Sequence, residues 1–195
     1  MNNFSAKIFS YRSYTPIPFL IVMLIFQKAT LESMIIGFVI SLIGESFRLW
    51  GVSVAGSETR TTGGVGGSFL VVTGAFAYVR NPLYLGNIFL YLGIGIMSMA
   101  LFPYLQIIAL IFFYIQYKFI IDEEEKYLEK TFGKQYDDYR NKVPRLIPRL
   151  TPYKNPGIEQ PEYKIGKGLK SETRTLQAFA LVTIILIVLY SLGTN

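Results

Sequence analysis

The sequence predicts an all-α integral membrane protein with about five transmembrane helices. Three observations carry that prediction. Hydrophobic residues make up 51% of the chain and the mean hydropathy is +0.37, more apolar than an ordinary soluble domain. Five apolar stretches approach the roughly 20 residues needed to span a hydrocarbon core. The charged residues gather in loops of one parity, as they do in multi-span proteins. The chain of 195 residues also lacks cysteine and histidine. Disulfides are therefore excluded, and a zinc or haem site lacks its usual ligands, so no metal is expected. Any general base must be a carboxylate, a tyrosine or a lysine.

The first apolar stretch, 14–28 (YTPIPFLIVMLIFQK), is short. No small-residue cleavage site follows it and a second apolar stretch comes almost at once, so it reads as a helix rather than a secretory leader. The second runs over 31–54, the third over 83–102, the fourth over 104–121 and the fifth over 176–192. The region 118–175 holds 13 of the 19 Lys and Arg residues. Lys7 and Arg12 precede the first stretch, and Arg60 and Arg80 lie between the second and third. All of these belong to one side, the cytoplasm, with the N-terminus inside and the C-terminus outside. The other side keeps only short turns around Lys28–Glu32 and Pro103. The net charge of +6 is then membrane-surface charge facing anionic headgroups. Ten acids are interleaved with the basic residues of 118–175, which argues against nucleic-acid binding.

Everything polar enough for chemistry falls in two inner loops. The first (GSETRTTGGVGGSFLVVTGAFAYVRNPLY) has five glycines between 63 and 74, which permit positive backbone angles and a close approach to a ligand. It has no dinucleotide or P-loop spacing. Pro82 suits the first turn of a helix and pushes Asn81 towards extended geometry. Asn81 is thus expected to cap the third membrane helix, with Leu83 and Tyr84 in its opening turn. The unpaired N–H groups there form a receptor for a carboxylate or another anion. Arg80 stands beside it, either as a functional cation or as an interfacial arginine reaching phosphate.

The second inner loop opens with IIDEEEKYLEKTFGKQYDDYRNKVPRLIP. Read as one helix over 121–143, it places Leu128, Phe132, Tyr136, Tyr139 and Val143 in a single stripe. Glu125 falls inside that stripe and Glu124 at its edge, while Asp122 and Glu123 point elsewhere. Carboxylates on the buried side require a cation or hydrogen bonds. From 144 to 161 prolines recur, excluding a regular helix and suggesting an extended strap along the headgroups. Glu45 and Arg48, three apart on the second stretch, read either as the lining of a groove or as an internal ion pair. Gly93 and Gly95 suggest close helix packing, and Trp50 an interface anchor.

At this point a resemblance is visible. YVRNPLYLG, residues 78–86, resembles the "R-[HN]-P-x-Y-x-G" motif of the isoprenylcysteine carboxyl methyltransferase and phospholipid methyltransferase group. EEKYLEKTFGKQYDDYRNKVPRLIP resembles that group's "EExxLxxxFGxxYxxYxxxVPR" block. The two motifs, in this order around a helical hairpin, span roughly residues 45–150. The resemblance implies a membrane enzyme without a Rossmann domain that uses S-adenosylmethionine and releases S-adenosylhomocysteine. It implies cofactor contacts at Ser68, Phe69, Leu70, Val71, Phe76, Asn81, Pro82, Leu83, Tyr84 and Glu124, with Glu125 adjacent. The pocket would form between the loop before the third helix and the helical segment after the fourth. Two departures stand out. Asn81 replaces a histidine of the prenylcysteine enzymes. The basic residue expected before the acidic run is replaced by Ile120 and Ile121, with Lys118 the nearest cation.

The cofactor's chemistry suits these residues. Its carboxylate fits the helix start at Asn81–Tyr84 with Arg80, its ammonium or hydroxyls fit Glu124 or Glu125, and its sulfonium fits aromatic faces. Methyl transfer is an in-line displacement, so positioning and water exclusion dominate. Glu125 is the candidate base for a protonated amine acceptor, with Arg80 beside it as the second catalytic candidate. The acceptor is expected to be a lipid or lipidated small molecule, either a prenylcysteine carboxylate or a phospholipid amine. Glu45, Arg48, Lys118 and Arg145 are its candidate contacts. The expected organisation is helices 1–2 over 1–55, a catalytic core over 56–150, a Pro-rich strap over 151–175 and a fifth helix over 176–195. The expected setting is a bacterial or archaeal inner membrane with the site on the cytoplasmic side. Alternatives are an NADPH-dependent sterol-reductase-like enzyme and a non-catalytic membrane module.

Overall fold

The structure, a computed structural model, describes residues 3–56 and 69–193. Ser68 and most of the Gly-rich loop lie outside the described residues. Among the described residues the fold is all helical: α1 (Asn3–Tyr11), α2 (Pro16–Ile25), α3 (Leu31–Ala55), α4 (Pro82–Ser98), α5 (Tyr104–Phe132), α6 (Lys134–Lys142) and α7 (Ile165–Ser191), with one 3₁₀ turn at Gly74–Ala77.

All five apolar stretches are helical. Three helices, α3, α5 and α7, are long and apolar enough to cross a membrane, while α2 and α4 are shorter, at 10 and 17 residues. α2 starts late because Tyr11–Thr15 form a turn and Pro16 then sets the first helical position. α4 stops at Ser98 because Met99 and Leu101 adopt left-handed φ of 50° and 46°. α3 begins with a reciprocal cap. The Ser33 amide donates to Thr30 Oγ1 (3.1 Å) and the Thr30 amide to Ser33 Oγ (2.9 Å).

α3 and α4 form the tightest seam of the bundle. A Cβ on Gly44 would sit 2.5 Å from the Gly86 carbonyl, and one on Gly93 would sit 2.5 Å from the Gly37 carbonyl. Only hydrogen fits at these crossings, so the backbones touch and gain dispersion contacts over the whole seam. Gly93 thus packs as expected. Gly95 instead faces Gln106 and Met23, whose side chains would stand 3.2 and 3.3 Å from an added Cβ. α7 joins α3 through Gly168 against Ser53, and through Phe38 stacked on Phe179 at 5.6 Å.

Three expectations are corrected. The helix expected over 121–143 is divided. The acidic run continues α5 without a break, and the chain then turns at Gly133 (φ 49°) into α6. A positive φ suits glycine, so the break falls there. The apolar stripe nevertheless converges as expected, since Leu128, Phe132, Tyr136, Tyr139 and Val143 share one cluster. Second, α7 begins at Ile165, well before the apolar run, so the end of the expected strap is helical. Third, the strap, expected along the headgroups, is bonded to the loop that precedes α4. The Arg149 and Tyr153 amides donate to the Tyr78 and Ala77 carbonyls, both at 2.9 Å, and Tyr153 and Ile158 enter the same cluster as Leu70 and Val72. Trp50 is partly exposed and packs on Tyr78 at 5.5 Å, with Gly74 (φ 59°) close against its indole.

Candidate active site

The loop before α4 and the segment that follows α5 meet at one end of the bundle. The Arg80 amide donates to the Pro144 carbonyl (2.9 Å), and the Asn81 side-chain amide donates to the Arg145 carbonyl (3.2 Å). Gln160 of the strap closes the far edge, accepting from the Val72 amide (2.8 Å) and donating to the Leu70 carbonyl (3.0 Å). The Tyr139 hydroxyl donates to the Phe76 carbonyl at 2.7 Å. Burial pushes the hydroxyls of Tyr136 and Tyr139 well above the ordinary phenol range, so both stay neutral. Tyr139 spends its proton on that bond. Tyr136 is buried with no hydrogen-bond partner for its hydroxyl among the described residues.

The four consecutive acids are divided among different partners. Asp122 pairs with Lys118 (2.9 Å) and Arg145 (2.7 Å), and Glu123 with Lys126 (3.0 Å). Glu125 is buried between two guanidinium groups: Oε1 accepts from Arg80 Nε (3.1 Å) and Nη2 (3.0 Å), and Oε2 from Arg145 Nη2. Arg80 spends four of its five N–H donors within the protein, because its Nη1 also bonds the Arg140 and Val143 carbonyls at 2.7 and 2.8 Å. The two catalytic candidates therefore hold each other.

Glu124 differs. Its Oε1 accepts from the Tyr84 hydroxyl at 2.7 Å, and among the described residues no lysine or arginine lies within ion-pairing distance of it. Tyr84 stands in the first turn of α4, so Glu124 is tied directly to the helix start that contains Asn81 and Pro82. Asn81 occupies the cap position, but its side chain does not cap α4, since it is directed to Arg145. The opening amides of α4 are left without a side-chain acceptor.

Residues 33–135, more than half the chain, match the phospholipid methyltransferase family. The chain belongs to that family. It is also similar to the protein-S-isoprenylcysteine O-methyltransferase of Saccharomyces cerevisiae, at 32% identity over 63% of this chain and 52% of that protein. The enzyme of the same name from Schizosaccharomyces pombe is 40% identical over 42% of this chain and 34% of its own length. The cobalt-zinc-cadmium resistance protein CzcN of Cupriavidus metallidurans is 30% identical over 55% of this chain and 45% of its own. The chain thus spans about half the length, or less, of the curated relatives it matches. No solved structure matches it.

Within this family member the remaining candidates are distributed as follows. Leu70 is buried against Tyr136 and Tyr139, Val71 and Phe76 are half-buried, and Phe69 is exposed. Leu83 packs towards Gly51 of α3. Lys118 is exposed and held by Asp122, while Arg145 bridges Asp122 and Glu125. Glu45 and Arg48 form the internal pair at 3.3 Å, and Arg48 is further bound by Glu172 (2.6 Å), Thr175 (3.2 Å) and Asn87. Glu172, fully buried, is the main partner missed in the sequence. It carried a signal: the buried α7 positions Leu186 and Phe179 step back by sevens to 172, placing an acid in the packed stripe.

Proposed function

We propose that this family member is an integral membrane methyltransferase. It transfers a methyl group from S-adenosylmethionine to a lipid-like acceptor, a prenylcysteine carboxylate or a phospholipid amine. The observation that carries the proposal is Glu124, a carboxylate with no lysine or arginine within ion-pairing distance among the described residues, tied by Tyr84 to the open start of α4. The donor set suits the cofactor. The first amides of α4 offer an anion seat, Glu124 a counter-charge for an ammonium or an acceptor for hydroxyls, and Tyr136 an unused buried hydroxyl. Bound there, the cofactor supplies an electrophilic methyl on a sulfonium. The chain's own work is to orient and to exclude water.

Arg80 acts in this reading as a positioning residue: it clamps Glu125 and two carbonyls so that α4 and the 140–145 segment stay together. Glu125, held by two arginines, is retained as that clamp's centre. A carboxylate acceptor needs no base, because its oxygen is already anionic at neutral pH. The Pro-rich strap covers the loop on its cytoplasmic side, and an acceptor reaches the site from the inner leaflet of a bacterial or archaeal inner membrane.

The test compares S-adenosylhomocysteine with NADPH for binding to the detergent-purified protein. Saturable binding of the first and not the second is expected, together with label transfer from methyl-labelled cofactor into the lipid fraction. Binding of NADPH alone, or of neither, overturns the reading.

A further inference from the structure

The family-matched residues end at 135, yet the backbone of the loop before α4 is bonded to residues beyond that point. The Phe76, Ala77 and Tyr78 carbonyls accept from the Tyr139 hydroxyl and from the Tyr153 and Arg149 amides. Gln160 makes the one attachment in which a side chain holds two backbone groups at once. Its Oε1 accepts from the Val72 amide at 2.8 Å and from Thr73 Oγ1 at 3.2 Å, while Nε2 donates to the Leu70 carbonyl at 3.0 Å. The orientation of the carboxamide follows from its partners, since an amide N–H only donates and a carbonyl only accepts.

A glutamine on a polar, proline-rich segment ordinarily ends in water. Gln160 instead spends both ends of its carboxamide on the chain either side of Val71. It is delivered from a fixed base, because Tyr153 and Ile158 of the strap are buried in the same cluster as Leu70, Val72, Tyr136 and Tyr139. Burial alternates along the loop: Phe69 is exposed, Leu70 buried, Val71 half-buried and Val72 buried. Successive side chains of an extended segment fall on opposite sides. The cluster therefore fixes the back of 69–72, Gln160 fixes its edge, and Phe69 and Val71 are left on the open side.

We infer that Gln160 is a positioning residue for the cofactor: its carboxamide locks the backbone of 70–73 so that Phe69 and Val71 offer a preformed face to S-adenosylmethionine. The inference rests on the methyltransferase reading and places one determinant of cofactor affinity in the strap, beyond the family-matched residues. Gln160 touches no reacting atom in this role. It removes ordering that the loop otherwise undergoes on binding, and pre-organisation of this kind raises affinity without a new ligand contact.

The test uses the detergent-purified protein as wild type, as Gln160→Met, which keeps the volume and removes both ends of the carboxamide, and as Glu159→Gln, which changes the exposed neighbour. Each is titrated with S-adenosylhomocysteine, and amide hydrogen exchange is followed without ligand over 70–73 and over the α3–α4 seam. Gln160→Met is expected to bind S-adenosylhomocysteine about tenfold more weakly, the size of two hydrogen bonds. Its 70–73 amides should exchange faster while the seam amides are unchanged, which also shows that the variant is folded. Glu159→Gln should match wild type in both measurements. Wild-type affinity in Gln160→Met overturns the inference. So does a loss of affinity accompanied by faster exchange in the seam, because the role is then general stability. A loss of affinity with unchanged exchange at 70–73 also overturns it, because Gln160 then contacts the ligand directly. If exchange at 70–73 responds but S-adenosylhomocysteine binds none of the three proteins, the methyltransferase reading fails and the cofactor role of Gln160 falls with it, leaving only the bond between strap and loop.

Discussion

The α3–α4 seam and the inner clasp hold the same molecule together by opposite means. In the seam, Gly37, Gly44, Gly86 and Gly93 bring two backbones into contact, and the stabilisation is dispersion spread over many weak contacts. In the clasp, Arg80 joins three acceptors from α5 and the 140–143 segment, so a few strong charge-assisted bonds carry the joint. The seam tolerates no added volume. The clasp tolerates no lost charge. Glu124 takes part in neither and accepts from Tyr84 of α4, which accords with the proposed role in cofactor binding.

This contrast can be broken from either side. The largest effect is expected for Arg80→Met, which strips Glu125 of one guanidinium and two buried carbonyls of their donor. Unfolding in detergent should show a loss of about 3–5 kcal/mol, and a loss below that of the seam variant would mean the clasp is dispensable. Gly93→Ala comes next. Its new methyl meets the Gly37 carbonyl at 2.5 Å, and overpacking of this kind costs about 1–3 kcal/mol by the same measurement. Glu124→Gln should leave the unfolding curve unchanged and weaken S-adenosylhomocysteine binding about tenfold, or about 1.4 kcal/mol, measured by titration calorimetry. A loss of stability without a loss of affinity would move Glu124 into the clasp. The smallest effect belongs to Lys126→Ala, whose pair with Glu123 is largely exposed on the lysine side. Less than about 0.5 kcal/mol is expected, with binding intact.

The division between Glu124 and Glu125 also measures how far the sequence could be read. The helical period alone separates the acids of 122–125 into a buried pair and an outward pair, and Glu125 is indeed buried within the Leu128–Val143 stripe. Periodicity does not distinguish which buried acid meets a cation. That depends on Arg80 and Arg145, 45 positions before and 20 after Glu125, arriving at the same point. The break at Gly133 was hidden for a related reason, since a glycine inside a helical pattern is compatible with either continuing or turning.

By itself the sequence determined the five apolar helical stretches, the apolar stripe of 128–143, the loops that gather the charge and the two motifs that mark the family. These are local properties, set by side-chain period, proline geometry and burial free energy along a short length of chain. Only the tertiary structure decided which charges neutralise one another: Arg80 with Glu125 and Arg48 with Glu172. A charge-assisted hydrogen bond needs its donor and acceptor within about 3 Å of each other, and distances of that size between remote segments exist only once the chain has folded.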